Sequence, residues 1–235
     1  MSSGLVRETA SGEMTLLGDR RMPTKGERQR QAILSSLTTL LATRPIGDLS
    51  VGEIAAEAGV RRSGYYFYFE SKYTALAIIT SEIWSELMDR AQSFVRFEDE
   101  TVADFLDRTA RTSIEAWHAH EAVLVASIQA IPLDEQLASM WKTWNERLAA
   151  ILTAQVLKDQ ERGLAHPVAA DLPTLISTLL EMTMHMFYED RLNKCTEIQT
   201  RKMLDTVRAI WLASAWGITP GTAAPEDDSV GTRPR

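Results

Sequence analysis

Between residues 24 and 217 the apolar positions recur at three- and four-residue spacing, and no stretch alternates with the period of two that a half-buried strand needs. The first run opens at "TKGE", where Thr24 can cap a helix and Glu27 can reach back to it, a reciprocal capping box. Ile33, Leu34, Leu37, Leu40 and Leu41 then share one face, and "RPIGD" (44–48) ends the helix. A second capping box, "SVGE", puts Ser50 at the cap and Glu53 at the third helical position of a short helix. Val51, Ile54, Ala55 and Ala58 face inward there, Gly59 supplies a left-handed turn, and Val60 re-enters the core. A third short helix runs from about Arg61 to Tyr68. Ser71 then caps a long fourth helix striped by Leu76, Ile79, Ile83, Trp84, Leu87, Met88, Ala91 and Phe94. Further amphipathic segments cover 101–118, 121–131, 133–161, 168–189 and 198–216, with Pro132 and Pro167 set at first turns of two of them. The pattern predicts an all-α chain.

Two short helices joined by "EAGV", with a long helix on either side, have the spacing of a helix–turn–helix. The small Ala55 lets the two helices cross closely, and the second can enter a DNA major groove about as wide as a helix is thick. The stretch "GYYFYFESK" (64–72) fits this placement. Five consecutive aromatic residues on a helix point about 100° apart, so they cannot share one job. Tyr65 and Phe69, four apart, face inward. Tyr66 and Tyr68 carry hydroxyls that can meet phosphate oxygens, and Phe67 lies between the two faces.

Charge sharpens the picture. The net charge of −7 argues against a nucleic-acid partner until it is mapped along the chain. Residues 20–72 hold nine Lys/Arg against five Asp/Glu, while the remainder holds 16 against 27. A basic end on an acidic body can steer toward phosphates. The single Cys195 excludes an intrachain disulfide and fits a reducing compartment. The first twenty residues lack the apolar run of a secretory signal, and "AVLVASIQAIPL" (122–133) is too short to span a bilayer. A cytoplasmic protein with no membrane partner is expected.

"SVGEIAAEAGVRRSGYYFYFESKYTAL" (50–76) resembles the DNA-binding region of TetR-family transcriptional repressors, most of all the EthR-like regulators. The resemblance is strong over residues 24–76 and architectural beyond. It implies a helix–turn–helix DNA-binding domain over 24–72 and a helical-bundle ligand-binding and dimerisation domain over 73–217. A flexible arm (1–23) and a disordered tail (218–235) flank them, as their small, polar and Pro/Gly-rich composition suggests. It also implies double-stranded DNA as partner, through Arg61, Arg62, Ser63, Tyr66, Tyr68 and Lys72. Read from chemistry, Arg62 can pair with a guanine edge, and Ser50 and Lys72 stand at helix N-termini, where backbone amides favour phosphate. Two positions depart from the family pattern. Arg61 stands where a capping Ser or Thr is usual, and Gly64 where a Thr or Ala could touch a thymine methyl.

Residues 100–216 hold five of the six tryptophans, Trp117, Trp141, Trp144, Trp211 and Trp216. Large rings on facing helices fill a core, and they also line cavities for apolar ligands. The resemblance implies an internal pocket for a small hydrophobic effector, and by position its candidates are Leu106, Trp117, Trp141, Trp144, Leu148, Met182, Phe187 and Trp211. Thr174, Thr178, Glu181 and His185 form a polar stripe that faces either solvent or a pocket wall, and solvent is the commoner fate of such stripes. The apolar residues Leu172, Leu175, Ile176, Leu179, Met182 and Met186 cover more than one side of that helix. With Met203, Leu204, Val207, Ile210 and Trp211 they predict a four-helix homodimer interface.

No catalytic constellation, cofactor motif or metal set is legible. His118 and His120 are two apart and point to different sides, His166 and His185 stand alone, and Cys195 has no histidine nearby in sequence. An enzyme is not expected. The competing reading is a helical carrier, or an enzyme for a small apolar molecule, that binds no DNA.

Overall fold

The structure, a computed structural model, describes residues 24–89 and 94–219. The expected arm over 1–23, the core position Ala91 and the tail from 220 onward lie outside them. The described residues form nine α-helices and no strand. They are α1 (Lys25–Leu41), α2 (Val51–Glu57), α3 (Arg62–Tyr68), α4 (Lys72–Asp89), α5 (Val102–Ala119), α6 (Glu121–Ala130), α7 (Glu135–Glu161), α8 (Leu172–Leu192) and α9 (Glu197–Trp211). A π-helical turn, Leu212–Trp216, continues α9. None of these helices is long and apolar enough to cross a membrane.

Local chemistry fixes the starts. Thr24 and Ser50 each accept the backbone N–H three residues on, while Glu27 and Glu53 accept theirs, so both capping boxes close. Two other starts differ from the sequence expectation. Pro132 lies in a 3-10 turn, and α7 begins at Glu135 under Asp134. Pro167 precedes a loop, and α8 begins only at Leu172, with Asp171 as cap and Pro173 in the first turn. In each case the helix starts where a carboxylate can accept an orphan amide, from Leu137 at 2.9 Å or from Thr174 at 3.1 Å. The proline alone does not set the boundary.

One continuous core runs through both halves of the molecule. Ile33, Leu34 and Leu37 of α1 meet Ile54 and Ala55 of α2, Tyr65 of α3 and Leu76 of α4, all buried. Each of the buried Ile and Leu side chains contributes about 1.5–3 kcal/mol by leaving water. α4 then packs on α6 and α7, and α7 on α8. Between α4 and α6 the buried hydroxyls of Thr80 and Ser127 lie 2.6 Å apart, and each also bonds a carbonyl in its own helix. A buried ion pair joins Arg96, just past α4, to Asp159 near the end of α7. Gln155 and the Trp216 indole N–H also bond Asp159. The π turn ends at Gly217, whose φ is +70°, where a Cβ would meet the His166 carbonyl at 2.7 Å. Only glycine lets the 165–168 segment run this close, and His166 and Val168 donate there to the carbonyls of Trp216 and Ser214.

Candidate nucleic-acid interface and ligand cavity

The α2–α3 turn is built by backbone geometry. Gly59 adopts φ +67°, its N–H bonds Ala56 O, and the Val60 N–H bonds Ala55 O at 2.9 Å. This pair of bonds closes the end of α2 as a Schellman motif and aims α3 away from it. Tyr65 and Phe69 anchor α3: both are buried, their rings lie 5.6 Å apart, and the Tyr65 hydroxyl donates to Ser71 O. Burial pushes the Tyr65 phenol above its ordinary range.

The opposite side of α3 is open. Arg61, Arg62 and Ser63 are exposed, Tyr66 is 46% exposed, and Phe67 is 82% exposed. The Arg62 guanidinium lies over the Tyr66 ring, 5.8 Å from its centre, with one nitrogen 3.4 Å from the hydroxyl. Arg61 caps α3 by position alone, making no side-chain bond to it. Phe67 is the member of this face that sequence reasoning left undecided. Its signal was its spacing, since it lies four residues after Ser63 and out of phase with the buried pair Tyr65 and Phe69.

The remaining candidates are held more tightly. The Tyr68 hydroxyl donates to Gln29 Oε1 at 3.2 Å and rests on the first turn of α1. The Lys72 ammonium donates to Gly47 O and Leu49 O, so it ties α4 to the α1–α2 connection. Ser50 spends its oxygen and its N–H on Glu53. Hydrogen bonds from Arg44, then from Ser50, hold the Glu53 carboxyl down to about 2. Gly64 has helical backbone and sits against Val60, where a Cβ would make ordinary contact at 3.9 Å. Gly64→Ala should therefore stabilise the protein by about 0.5–1 kcal/mol, since glycine is a poor helix residue and nothing here requires it. A raised denaturant midpoint with an unchanged slope would check this.

In the second domain α5, α7, α8 and α9 enclose an apolar cavity of about 50 Å³. Of the eight residues expected around a pocket, Leu106, Leu148, Phe187 and Trp211 line it. Trp117 stands behind Phe187, edge to face. Trp141 packs against Trp84 of α4, Trp144 lies under Arg147, and Met182 is half-buried elsewhere on α8. The wall is completed by residues that the sequence did not assign to a pocket, among them Phe94, Leu152, Thr183, Met184 and Arg208. Phe94 comes from the segment that follows α4. The stripe Thr174, Thr178, Glu181 and His185 is exposed on the single chain.

His118 lies in the last turn of α5, where partial burial, then the nearby Arg191, lower its pKa. Among the described residues no group of three or more His, Cys, Asp or Glu is arranged to hold a metal ion.

Two models of known families match the chain. The model of bacterial regulatory proteins of the tetR family matches residues 33–76, and that of the transcriptional regulator EthR, C-terminal domain, matches residues 106–217. The chain is similar to the HTH-type transcriptional regulator EthR of Mycolicibacterium smegmatis, 29% identical over 222 residues, covering 92% of this chain and 99% of the relative. Against EthR of Mycobacterium tuberculosis the identity is 27% over 203 residues, covering 85% and 93%. A TetR-family regulator from Syntrophomonas wolfei shares the fold, with a TM-score of 0.65 at 16% identity over 84% of this chain and all of the other. The chain belongs to the TetR family: it is a DNA-binding transcriptional regulator whose second domain is of the EthR type, and not an enzyme.

Proposed function

We propose that the protein is a homodimeric cytoplasmic repressor, in which residues 24–72 read a palindromic operator and residues 73–217 dimerise and hold a small apolar effector that releases it. The observation that carries this reading is the path of α4. Its first residue, Lys72, is bonded to the connection between α1 and α2, and the chain leaves its far end to supply Phe94 to the cavity wall. A cavity of about 50 Å³ is far below the roughly 300–1,000 Å³ that encloses a drug-sized ligand. Binding must therefore move wall side chains, and displacement of Phe94 is transmitted along α4 to α3. The effector works only if it binds the moved state more tightly than the DNA-binding state.

Dimerisation is supported by Leu175, Met182 and Met186 on α8 and Met203 and Ile210 on α9, all half-buried in the single chain. A second copy would cover them, and its two recognition helices must then lie about 34–36 Å apart to enter successive major grooves.

The test is capture of fragmented genomic DNA at about 0.15 M salt, where weak surface attraction is damped. Enrichment of a few fragments sharing an inverted repeat is the expected result. No enrichment, even after unfolding and refolding the protein to strip any bound effector, would refute the reading.

A further inference from the structure

Phe67 is the most exposed large apolar side chain among the described residues, at 82%. It stands on α3 and takes no part in the core. A phenyl ring left in water gains by covering its face, so this one suits a contact made only in the complex.

The ring is braced rather than loose. It meets the Tyr68 ring edge to face, with centroids 5.0 Å apart and planes at 87°. Tyr68 in turn is fixed to α1 through its bond to Gln29. One turn earlier on the same side stand Ser63 and Gly64, the two smallest residues of α3, so nothing overhangs the ring. Arg62 and Tyr66 form the adjacent row, and Phe67 approaches a groove beside them.

The chemistry of the major groove says what such a ring can meet. Phosphate oxygens and the donor and acceptor edges of bases are better served by water than by a phenyl group. The apolar group presented there is the C5 methyl of thymine, and phenylalanine is among the side chains that contact it. A wedge between base pairs enters from the minor groove, which is too narrow for a helix such as α3.

We infer that Phe67 is a specificity-determining residue that reads a thymine methyl in each half of the operator. This rests on the reading of the open side of α3 as the face that meets DNA. The contact favours thymine over the other bases without a hydrogen bond, by covering the ring and the methyl together.

Binding titrations with the duplex that carries the captured inverted repeat test it. Each thymine of a half-site is replaced in turn by deoxyuridine, symmetrically in both halves, which removes the methyl and keeps the hydrogen-bonding edge. At one thymine per half-site the unaltered protein should bind about fifteenfold more weakly, from about fourfold for each methyl no longer buried. Phe67→Ala should unfold with the parent, bind the thymine duplex at least about fifteenfold more weakly, and lose the thymine preference at that position alone. Phe67→Leu, still apolar, should keep part of the preference. If the alanine variant fails to fold, the deoxyuridine scan of the unaltered protein decides. Uracil tolerated at every position, an inverted repeat without thymine, or a Phe67→Ala protein that keeps the full preference would each overturn the role of Phe67. The reading of α3 is tested separately by Arg62→Ala, Tyr66→Ala. If that variant loses the operator while uracil is tolerated throughout, α3 still reads DNA and only the role of Phe67 falls. If it keeps the operator, both fall.

Discussion

Asp159→Ala should lower stability by about 3–5 kcal/mol, the usual consequence of removing one partner of a buried ion pair. The Asp159 side chain is fully buried, and Arg96 is 6% exposed. Arg96 grips both carboxylate oxygens, and Gln155 and Trp216 donate to Oδ2 as well. Alanine would leave two nitrogens of a buried guanidinium and two further donors without an acceptor, with only the third guanidinium nitrogen still bonded, to Glu100 O. The double variant Arg96→Met, Asp159→Leu should be much less harmed, because apolar groups of similar volume remove the cost together with the pair. If Asp159→Ala alone proved as stable as the parent in denaturant titration, the network would hold nothing together.

The same carboxylate should shape the acid limb of stability. Burial by itself raises its pKa, but the hydrogen bonds from Arg96, Trp216 and Gln155 and the charge of Arg96 bring it below the ordinary value. The folded pKa is thus lower than the unfolded one, near 3.9. Its contribution is present above about pH 4 and is lost as pH falls through the folded value. Asp159→Ala should lack that portion of the acid sensitivity. The network joins the segment after α4, the end of α7 and the turn after α9, so it also fixes where the far end of α4 sits.

Some of this was legible in the sequence because it rests on local chemistry. The capping boxes at Thr24 and Ser50 and the left-handed Gly59 are each decided within a few residues, and each is present. Tyr65 and Phe69 were readable as anchors because four-residue spacing puts them on one side of a short helix. The Arg96–Asp159 pair and Arg208 were not readable, since a charged residue on an amphipathic helix normally faces water and only tertiary packing buries it. The pocket candidates divide for a related reason. Periodicity says which face of a helix points inward, but not where two helices separate. Hence Leu106 and Trp211 line the cavity, while the equally apolar Trp141 fills the contact with Trp84. Lys72 looked like a phosphate contact from its place at a helix start. Two carbonyls within reach now occupy its ammonium, and only the folded α1–α2 connection brings them there.

The double variant Arg62→Ala, Tyr66→Ala should lose operator affinity by about 100-fold or more and unfold with the parent. Both side chains project from the open side of α3, and neither belongs to the core that holds it. Their mutual contact holds the guanidinium over the ring and limits the freedom lost when it meets a base edge. A good bidentate base contact discriminates by about 1–3 kcal/mol, and a dimer presents each contact twice, which carries the combined loss past two orders of magnitude. Salt dependence separates the two roles open to Arg62. If it reads a base, the single variant Arg62→Ala relaxes sequence discrimination. If it neutralises a phosphate, binding weakens evenly across sequences and the salt slope falls by about one for each subunit. Tyr65→Ala is the contrasting control, because it removes a buried anchor and should unfold the reading head itself. Undiminished operator affinity in the Arg62→Ala, Tyr66→Ala variant would mean that DNA is read by some surface other than this face of α3.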